Sequence, residues 1–240
     1  KKYKNTENVY LDFLDKTELP RVMKTLIRKD DRSGRLNYNY YKENGLKPVS
    51  CLLLALLLTT GRRLKECGSL TWALFKQGEN PRLELKKTKT SKKNNKLVFK
   101  LGEEAVNILK LIEKDRLNNP DSSFYFDIND PRNKYIFPSK AYGRKIKGGK
   151  SEALHLQDPG ATWNCVLKLS GVERHMKIHS TRHSFATNFY RVTKDLKALA
   201  EALGTTEAQA SKYAKLDGEP VVEGINKIKF FDDEKVVLKQ

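Results

Sequence analysis

The run PVSCLLLALLLTTG, residues 48–61, decides the fold of this chain. Its roughly ten apolar positions are about half of what a bilayer span needs, so we interpret the run as a helix buried in a protein core. Proline suits the first turn of a helix, and glycine suits the position just after the last turn. The run therefore predicts a core helix that ends at Gly61, with Arg62 and Arg63 directly after the break.

The charge balance narrows the choice of partner. The 240 residues contain 47 Lys and Arg against 29 Asp and Glu, which gives a net charge of +18. An excess of this size attracts polyanions and predicts salt-dependent binding to nucleic acid. A membrane surface is the less favoured polyanion, because the sequence shows neither a signal peptide nor a basic amphipathic stretch with an aromatic face.

The cysteines indicate a reducing compartment. Cys51, Cys67 and Cys165 are odd in number, widely spaced and set in apolar or helical segments. A disulfide framework and a zinc site are therefore not expected. We predict a cytoplasmic, nucleoid-associated protein that uses no metal and no other cofactor.

Periodicity predicts a mainly helical α+β chain with a small antiparallel sheet. Helices are predicted over residues 17–29, 49–59, 102–114, 161–169 and 195–203, with shorter helices after Gly61 and after Thr206. Strands are predicted over 82–87 and 96–99, as a hairpin with six lysines between Lys86 and Lys96, and over 134–139. Residues 30–48 and the basic segment 143–150 are predicted to be loops.

The segment HSTRHSFATNFY, residues 179–190, places three polar residues on one side of a helix. His179, Arg182 and His183 are spaced i, i+3 and i+4, so they share a face. Phe185 and Phe189 supply packing surface beside them. A histidine that satisfies a buried polar group next to a snorkelling arginine would give the same pattern, and this segment alone does not separate the two interpretations.

Five cationic or phenolic positions together suit phosphodiester chemistry without a metal. They are Arg63 at the helix break, a lysine of the hairpin, His179, Arg182 and Tyr213. A phenol oxygen is a competent nucleophile, and two guanidiniums can hold both non-bridging phosphate oxygens. An ammonium or imidazolium can donate a proton to the departing sugar oxygen.

These segments resemble the catalytic domain of the tyrosine recombinases, also called phage integrases. The resemblance covers residues from about 10 to 216 and rests on blocks that occur in the family's order. The blocks are TTGRRLKECGSLTW, LELKKTKTSKKNNKLV, YIFPS, HSTRHSFAT and LGTTEAQASKYAK. The resemblance implies an α+β, mainly α-helical catalytic domain that cleaves and rejoins DNA through a 3′-phosphotyrosine.

The resemblance assigns a role to each matching residue. Arg63 and Arg182 would clamp the scissile phosphate, and His179 would contact it or assist proton transfer. Lys87 would be the general acid and Tyr213 the nucleophile. Arg62 remains an alternative to Arg63, and Lys89 to Lys87, because a hairpin of this kind does not fix its register.

Supporting positions follow from the same blocks. Glu66 would support Arg63, and His183 fits a second histidine of the family or a core role. DNA contacts are expected from the basic hairpin and the basic loop, at Lys86, Lys89, Lys92, Lys93, Arg144 and Lys145.

The final block departs from the family's pattern in two ways. Thr205 stands where the family usually has His or Trp after Leu-Gly, and the interval to the tyrosine is about one residue short. Thr205 can donate one hydrogen bond but carries no ring, so its place in the catalytic set is the weakest part of the assignment.

Three rival interpretations use the same sequence. The segment ALAEALGTTEAQASKYAKL also resembles a helix-turn-helix, which would make the chain a non-catalytic DNA-binding regulator. A type IB topoisomerase would use similar chemistry. A metal-dependent nuclease would need clustered carboxylates, and the pairs Asp30–Asp31 and Asp232–Asp233 lie in segments where solvation is the ordinary interpretation.

The resemblance also implies an organisation for the whole protein. Residues 1–10 would link the chain to an N-terminal DNA-binding domain, since no initiator Met is present; 11–218 would be the catalytic domain, and 219–240 a tail that docks on another protomer. Expected partners are double-stranded DNA recombination sites, a homo-tetramer on that DNA, and accessory DNA-bending or directionality proteins.

Overall fold

The computed structural model describes residues 13–85, 97–119, 121–127, 129–146 and 149–214. Its helices are α1 (Glu18–Leu26), α2 (Tyr38–Glu43), α3 (Pro48–Thr60), α4 (Leu64–Gly68), α5 (Glu103–Asn118), α6 (Gly160–Leu169), α7 (Ser180–Thr193), α8 (Leu196–Leu203) and α9 (Glu207–Ala214). Its strands are β1 (Phe75–Lys76), β2 (Arg82–Leu85), β3 (Leu97–Lys100), β4 (Lys145–Ile146) and β5 (Gly149–Lys150). The predicted linker over 1–10 and the predicted tail over 219–240 lie outside the described residues.

The core helix α3 is the centre of the fold, as the sequence predicts. Every residue from Val49 to Leu58 is buried, and α1, α5, α6 and α7 all pack against the helix. The helix ends where Gly61 adopts the left-handed conformation, with φ +61°. A Cβ at Gly61 would lie 2.3 Å from Cδ1 of Phe185, so glycine also allows α7 to approach the end of α3. Within the described ranges, no helix combines the length and apolarity of a membrane span.

The predicted hairpin strands form the middle and one edge of a three-stranded antiparallel sheet in the order β1-β2-β3. Leu83 pairs with Phe99, and both side chains are buried, as the alternation requires. Strand β1 is an addition that the sequence pattern did not predict. The lysine segment between β2 and β3, residues 86–96, lies outside the described residues.

The prediction of a loop over residues 30–48 is wrong for its central part, which forms α2. The side chain of Asn37 caps this helix by accepting a hydrogen bond from the backbone N–H of Tyr40 at 2.9 Å. The hydroxyl of Tyr41 donates to the carbonyl of Leu26 and is buried with it. Aromatic side chains in a short Asn-rich segment resemble a loop by composition, and tertiary burial decides the outcome.

Two predictions for residues 134–150 need correction. The segment 134–139 pairs at single positions only, Thr71 with Tyr135 and Pro138 with His155, so it is not a strand. Pro138 has no N–H to offer a ladder, which limits the pairing. Conversely, the basic segment predicted as a loop contains the two-stranded hairpin β4–β5.

A second, smaller apolar cluster holds α7, α8 and α9 together. We call α8, α9 and the turn between them the α8–α9 corner (Leu196–Ala214). Asp195 caps α8 by accepting from the backbone N–H groups of residues 197 and 198, and Gly204 ends it at φ +60°. The buried residues of this cluster are Ala186, Leu199, Ala200, Leu203 and Ala210. The α8–α9 corner therefore packs mainly against α7 rather than into the main core around α3.

The beginning of the described chain is fixed to α7 and to the loop before it. The hydroxyl of Ser184 accepts from the backbone N–H of Leu14 at 2.8 Å, and the amide of Asn188 donates to the Leu14 carbonyl at 3.0 Å. Arg174 donates two hydrogen bonds to the carboxylate of Glu18, at 2.5 and 2.6 Å. These bonds hold the pKa of Glu18 below its usual value of 4.5.

Candidate active site

Arg63 lies directly before α4, at the break after Gly61, and its side chain is 54% exposed. Its Nη1 lies 3.2 Å from Oε1 of Glu66, and its backbone N–H donates to Oε2 of the same carboxylate at 3.2 Å. Glu66 thus contacts both the backbone and the guanidinium of Arg63. The arrangement holds Arg63 at the surface of the break with part of its guanidinium open to solvent.

Arg62 points the opposite way and is 2% exposed. Its guanidinium carbon lies 3.5 Å from the centre of the Phe99 ring, and its Nη2 donates to the carbonyl of Ala202 at 2.7 Å. Burial lowers the pKa of Arg62 to about 10, opposed by the charge of Glu66 and reinforced by Arg182. The group still carries its charge at neutral pH, but it is enclosed between β3 and the α8–α9 corner.

Arg182 lies in the first turn of α7, and it joins the main core to the α8–α9 corner. Its Nη1 donates to the carbonyl of Gly61 at 2.7 Å, and its Nη2 donates to the carbonyl of Leu203 at 3.2 Å. Burial lowers the pKa of Arg182, while the charge and a hydrogen bond of Tyr213 act in the opposite direction. The positive charge of Arg63 is near enough to lower that pKa further.

Tyr213 lies near the end of α9, half-buried and turned toward α7. The centre of its ring is 5.4 Å from that of His183, and the ring of His183 is 4.9 Å from that of His179. His179 itself is exposed at the position just before α7. The structure therefore brings four of the predicted site residues together, Arg182, Tyr213, His183 and His179, beside the break that carries Arg63.

Thr205 is held inside the turn of the α8–α9 corner. Its hydroxyl donates to the side-chain amide oxygen of Gln209, and its backbone N–H donates to the carbonyl of Ala200 at 2.9 Å. The hydroxyl of Thr206 accepts from the backbone N–H of Gln209 at 3.3 Å, which caps the start of α9. Gln209 is thus the side chain that orients the Thr205 hydroxyl.

The predicted DNA-contacting residues fall into two groups. Lys86, Lys87, Lys89, Lys92 and Lys93 lie outside the described residues. Arg144 and Lys145 are exposed at the start of the β4–β5 hairpin, where Lys145 pairs with Lys150 across the strands. The strand β3, which follows the lysine segment in the sequence, lies next to Arg62, because Phe99 lies on that strand.

Some contacts of the site had no signal in the sequence. The carbonyls of Gly61, Ala202 and Leu203 accept bonds from Arg62 or Arg182 across 121, 140 and 21 positions of the chain. The stacking of Arg62 on Phe99 is equally non-local. Every residue type has a backbone carbonyl, so the sequence does not show which carbonyls accept these bonds. The one signal near them is the pair of left-handed glycines, Gly61 and Gly204.

The helix-turn-helix interpretation finds little support in this geometry. In a helix-turn-helix reader, the second helix would present Tyr213 to DNA, whereas here the tyrosine turns toward Arg182 and His183. The carboxylate of Asp30 accepts bonds from the backbone and hydroxyl of Ser33, which makes it part of a turn. In the part of the chain that the structure describes, no group of three or more His, Cys, Asp or Glu side chains could hold a metal ion.

Comparison with known proteins agrees with the resemblance. The sequence model of the phage integrase family matches residues 13–218. No curated protein matches the chain. The site-specific recombinase XerH, solved as a post-cleavage complex bound to palindromic difH substrate, is similar in fold at a TM-score of 0.62 and 18% identity, over 94% of this chain and 55% of XerH.

Two further solved structures share the fold. The XerA recombinase is similar at a TM-score of 0.60 and 18% identity, over 91% of this chain and 64% of XerA. The Tn1549 transposon integrase, residues 82–397 in complex with circular intermediate DNA, is similar at a TM-score of 0.52 and 17% identity, over 83% of this chain and 61% of that one. This chain therefore spans less than two thirds of the length of each of these structures.

Proposed function

The chain belongs to the phage integrase family, and on that premise we propose that it is the catalytic part of a site-specific DNA recombinase. The enzyme cleaves and rejoins DNA strands through a 3′-phosphotyrosine intermediate, in the integration or excision of a mobile element. The observation that carries the proposal is the position of Tyr213. Its phenol lies against the guanidinium of Arg182, which is the charge that a phosphate under attack requires.

The proposed reaction conserves the phosphodiester bond energy. The phenol of Tyr213 gives up its proton to solvent as its oxygen attacks the scissile phosphorus, a tyrosine–phosphate bond forms, and the bond to the 5′ oxygen of the next nucleotide breaks. A lysine of the 86–96 segment, Lys87 or Lys89, gives its proton to that departing oxygen. The reverse attack by a 5′ hydroxyl of another strand restores the DNA backbone and frees the tyrosine.

Two arginines neutralise the charge that develops on the phosphate. Arg182 supplies its N–H groups that are not bound to the carbonyls of Gly61 and Leu203. We assign the second clamp to Arg63 rather than Arg62, because Arg63 is half exposed at the break while Arg62 is enclosed against Phe99. Glu66 keeps Arg63 in place before DNA arrives.

The histidines and Thr205 have supporting roles in this proposal. His179, exposed before α7, contacts the phosphate or assists proton transfer, and the ring of His183 packs against the ring of Tyr213. Thr205 donates to Gln209 and so contributes to the shape of the turn. A direct contact of Thr205 with the phosphate would require its hydroxyl to leave Gln209.

We propose double-stranded DNA recombination sites as the substrate. The net charge of +18 and the exposed Arg144 and Lys145 support DNA binding. XerH and the Tn1549 integrase, which share the fold, are described in complex with DNA substrates. A homo-tetramer on two sites, accessory DNA-bending or directionality proteins, and a place in the cytoplasm on the nucleoid complete the proposal.

The remaining segments belong to the same proposal. Residues 1–10 join a DNA-binding domain to the catalytic domain of 11–218, and the tail over 219–240 docks on a neighbouring protomer. Deleting residues 224–240 should weaken assembly on DNA more than binding to a single site. An unchanged assembly pattern in a gel shift would remove the tail from the proposal.

The test is the covalent adduct itself. The protein is incubated with a pool of nicked duplexes tiled across the DNA that flanks its coding sequence, and SDS-resistant protein–DNA complexes are counted. We expect an adduct with the wild type and with Tyr125→Phe, an exposed tyrosine in a loop, and none with Tyr213→Phe. An adduct that persists in Tyr213→Phe would contradict the assignment, and DNA binding without any adduct would favour the regulator.

A further inference from the structure

Arg62 is a buried charge that the proposed chemistry does not use. It is 2% exposed, and its Nε is one of the buried side-chain nitrogens that lack a hydrogen-bond partner. The nearest carboxylate oxygen, Oε2 of Glu66, is 4.0 Å from that Nε. Burying a guanidinium is costly, and a buried polar atom without a hydrogen-bond partner calls for an explanation.

The contacts of Arg62 reach three different segments. Along the chain, Arg62 is the immediate neighbour of Arg63, and its side chain stacks on Phe99 of β3 at 3.5 Å. Its Nη2 donates to the carbonyl of Ala202, in the last turn of α8, at 2.7 Å. A Cβ at Gly204 would lie 3.0 Å from Nη1, so the turn before α9 is closed down onto the same guanidinium.

These three segments carry the groups that must meet at one phosphate. The break carries Arg63, β3 leads out of the lysine segment 86–96, and the α8–α9 corner carries Tyr213. We propose, resting on the function proposed above, that Arg62 is a positioning residue that sets these three segments relative to one another. It acts through its plane stacked on Phe99 and its bond to Ala202, and it does not touch the phosphate.

Glu66 extends the role of Arg62. The carboxylate of Glu66 is bound to Nη1 of Arg63 at 3.2 Å and lies 4.0 Å from Nε of Arg62. When Arg63 turns to a phosphate, the carboxylate can close on the Nε of Arg62, which has no hydrogen-bond partner. Arg62 then replaces Arg63 as the positively charged partner of Glu66, and the carboxylate of Glu66 stays at the break.

A positioning role predicts that activity and stability respond differently to substitution. Arg62→Met keeps much of the side-chain volume and removes the desolvated charge, so the melting temperature should stay within a few degrees of the wild type. Strand cleavage should fall on the order of 100-fold, because a displacement of about 1 Å in the reacting groups has an effect of that size. Arg62→Lys, which can bond to Ala202 but cannot stack as a plane, should recover part of the rate.

The experiment measures single-turnover adduct formation on the nicked-duplex pool, the DNA affinity and the melting temperature of the full chain. The variants are Arg62→Met, Arg62→Lys, Phe99→Leu and the double variant Arg62→Lys/Phe99→Leu, with Arg28→Lys as the control for a stacked arginine elsewhere. We expect slow cleavage with unchanged DNA affinity, and losses at positions 62 and 99 that are not additive. Cleavage at the wild-type rate in Arg62→Met, or additive losses, would overturn the proposal.

A second measurement separates this proposal from the proposed function. Hydrogen exchange of the backbone amides of residues 204–213 should accelerate in Arg62→Met, while exchange in α5 stays as in the wild type. If the wild type forms no adduct on any duplex, the proposed function fails, and the exchange result alone decides whether Arg62 fixes the corner. Uniform acceleration throughout the chain, or none, would show that Arg62 does not position these segments.

Discussion

The main core and the α8–α9 corner differ in how much apolar surface they bury. Around α3, apolar side chains from five helices and the sheet bury one continuous cluster that includes Trp163, Tyr41, Phe124 and Phe137. The corner has a small cluster of alanines and leucines, bordered by half-buried aromatics. The corner nevertheless carries Tyr213, and arginine bonds to its carbonyls hold it against the rest. The geometry of the proposed site therefore depends on a few polar contacts as well as on this small apolar cluster.

The largest effect should come from Arg182, which bonds to both regions. In Arg182→Lys the single ammonium cannot hold the carbonyls of Gly61 and Leu203 and also a phosphate. We expect strand cleavage to fall by about 100- to 1000-fold, the range seen when one preorganised charge donor is lost. Adduct formation measures the loss, with Arg191→Lys on the same helix as the control. A rate within a few-fold of the wild type would contradict the bridging role.

Matched deletions of packing should separate the two regions next. Leu53→Ala, in the main core, should lower the free energy of unfolding by about 2–5 kcal/mol, because α3 is enclosed on all sides. For Leu199→Ala, in the corner, the loss should be near the lower end of this range, about 2 kcal/mol. Phe185 and Phe189 are only half-buried there and can move into the space that the leucine leaves. Urea denaturation measures both variants. Equal losses would show that the corner is as tightly packed as the core.

A third pair of variants tests how closely the corner is held. Gly34 and Gly204 both have φ near +60°, but a Cβ at Gly34 meets nothing within 4 Å, whereas one at Gly204 meets Phe99 at 2.9 Å and Arg62 at 3.0 Å. Gly34→Ala should therefore show the conformational cost alone, about 1–2 kcal/mol. Gly204→Ala should lower the free energy of unfolding by more than this, and it should also slow strand cleavage. Calorimetric melting of both proteins checks the order, and a reversed order would argue against contact at the corner.

The smallest effect concerns acid pH and the ion pair between Arg174 and Glu18, at the edge of the main core. Hydrogen bonds from Arg174 hold the pKa of Glu18 below 4.5, so this pair stabilises the fold above that pH. The contribution, about 1 kcal/mol for a partly exposed pair, is lost as pH falls through the lowered pKa in the folded state. Glu18→Gln should melt earlier than the wild type at pH 7, and the difference should shrink as the pH falls below 4.5. A difference that does not shrink in acid would have another origin.

The sequence predicts best where local rules decide. The ends of α3 and α8 are predictable because Gly61 and Gly204 take the left-handed conformation that glycine adopts without strain. The strands flanking the lysine segment are predictable from alternation, since Leu83 and Leu85 face the core. The helix α2 is not, because its stability comes from burying Tyr41 against a distant helix rather than from propensity.

In the candidate site, too, the sequence predicts what depends on local spacing and misses what depends on distant contacts. Spacing alone places His179, Arg182 and His183 on one side of a helix, and in the structure they lie near Tyr213. The roles of neighbours such as Arg62 and Arg63 cannot be read from spacing, because the residues that enclose Arg62 lie far along the chain. Burial separates the two arginines, 2% exposed against 54%.

The most direct measurement identifies the residue that carries the DNA. The SDS-resistant adduct is isolated, digested with nuclease and with a protease that cuts after glutamate, and the peptide that bears the nucleotide is sequenced by mass spectrometry. We expect a nucleotide linked through its 3′ phosphate to Tyr213, one of ten tyrosines in the chain. A nucleotide on any other residue would contradict the proposed mechanism.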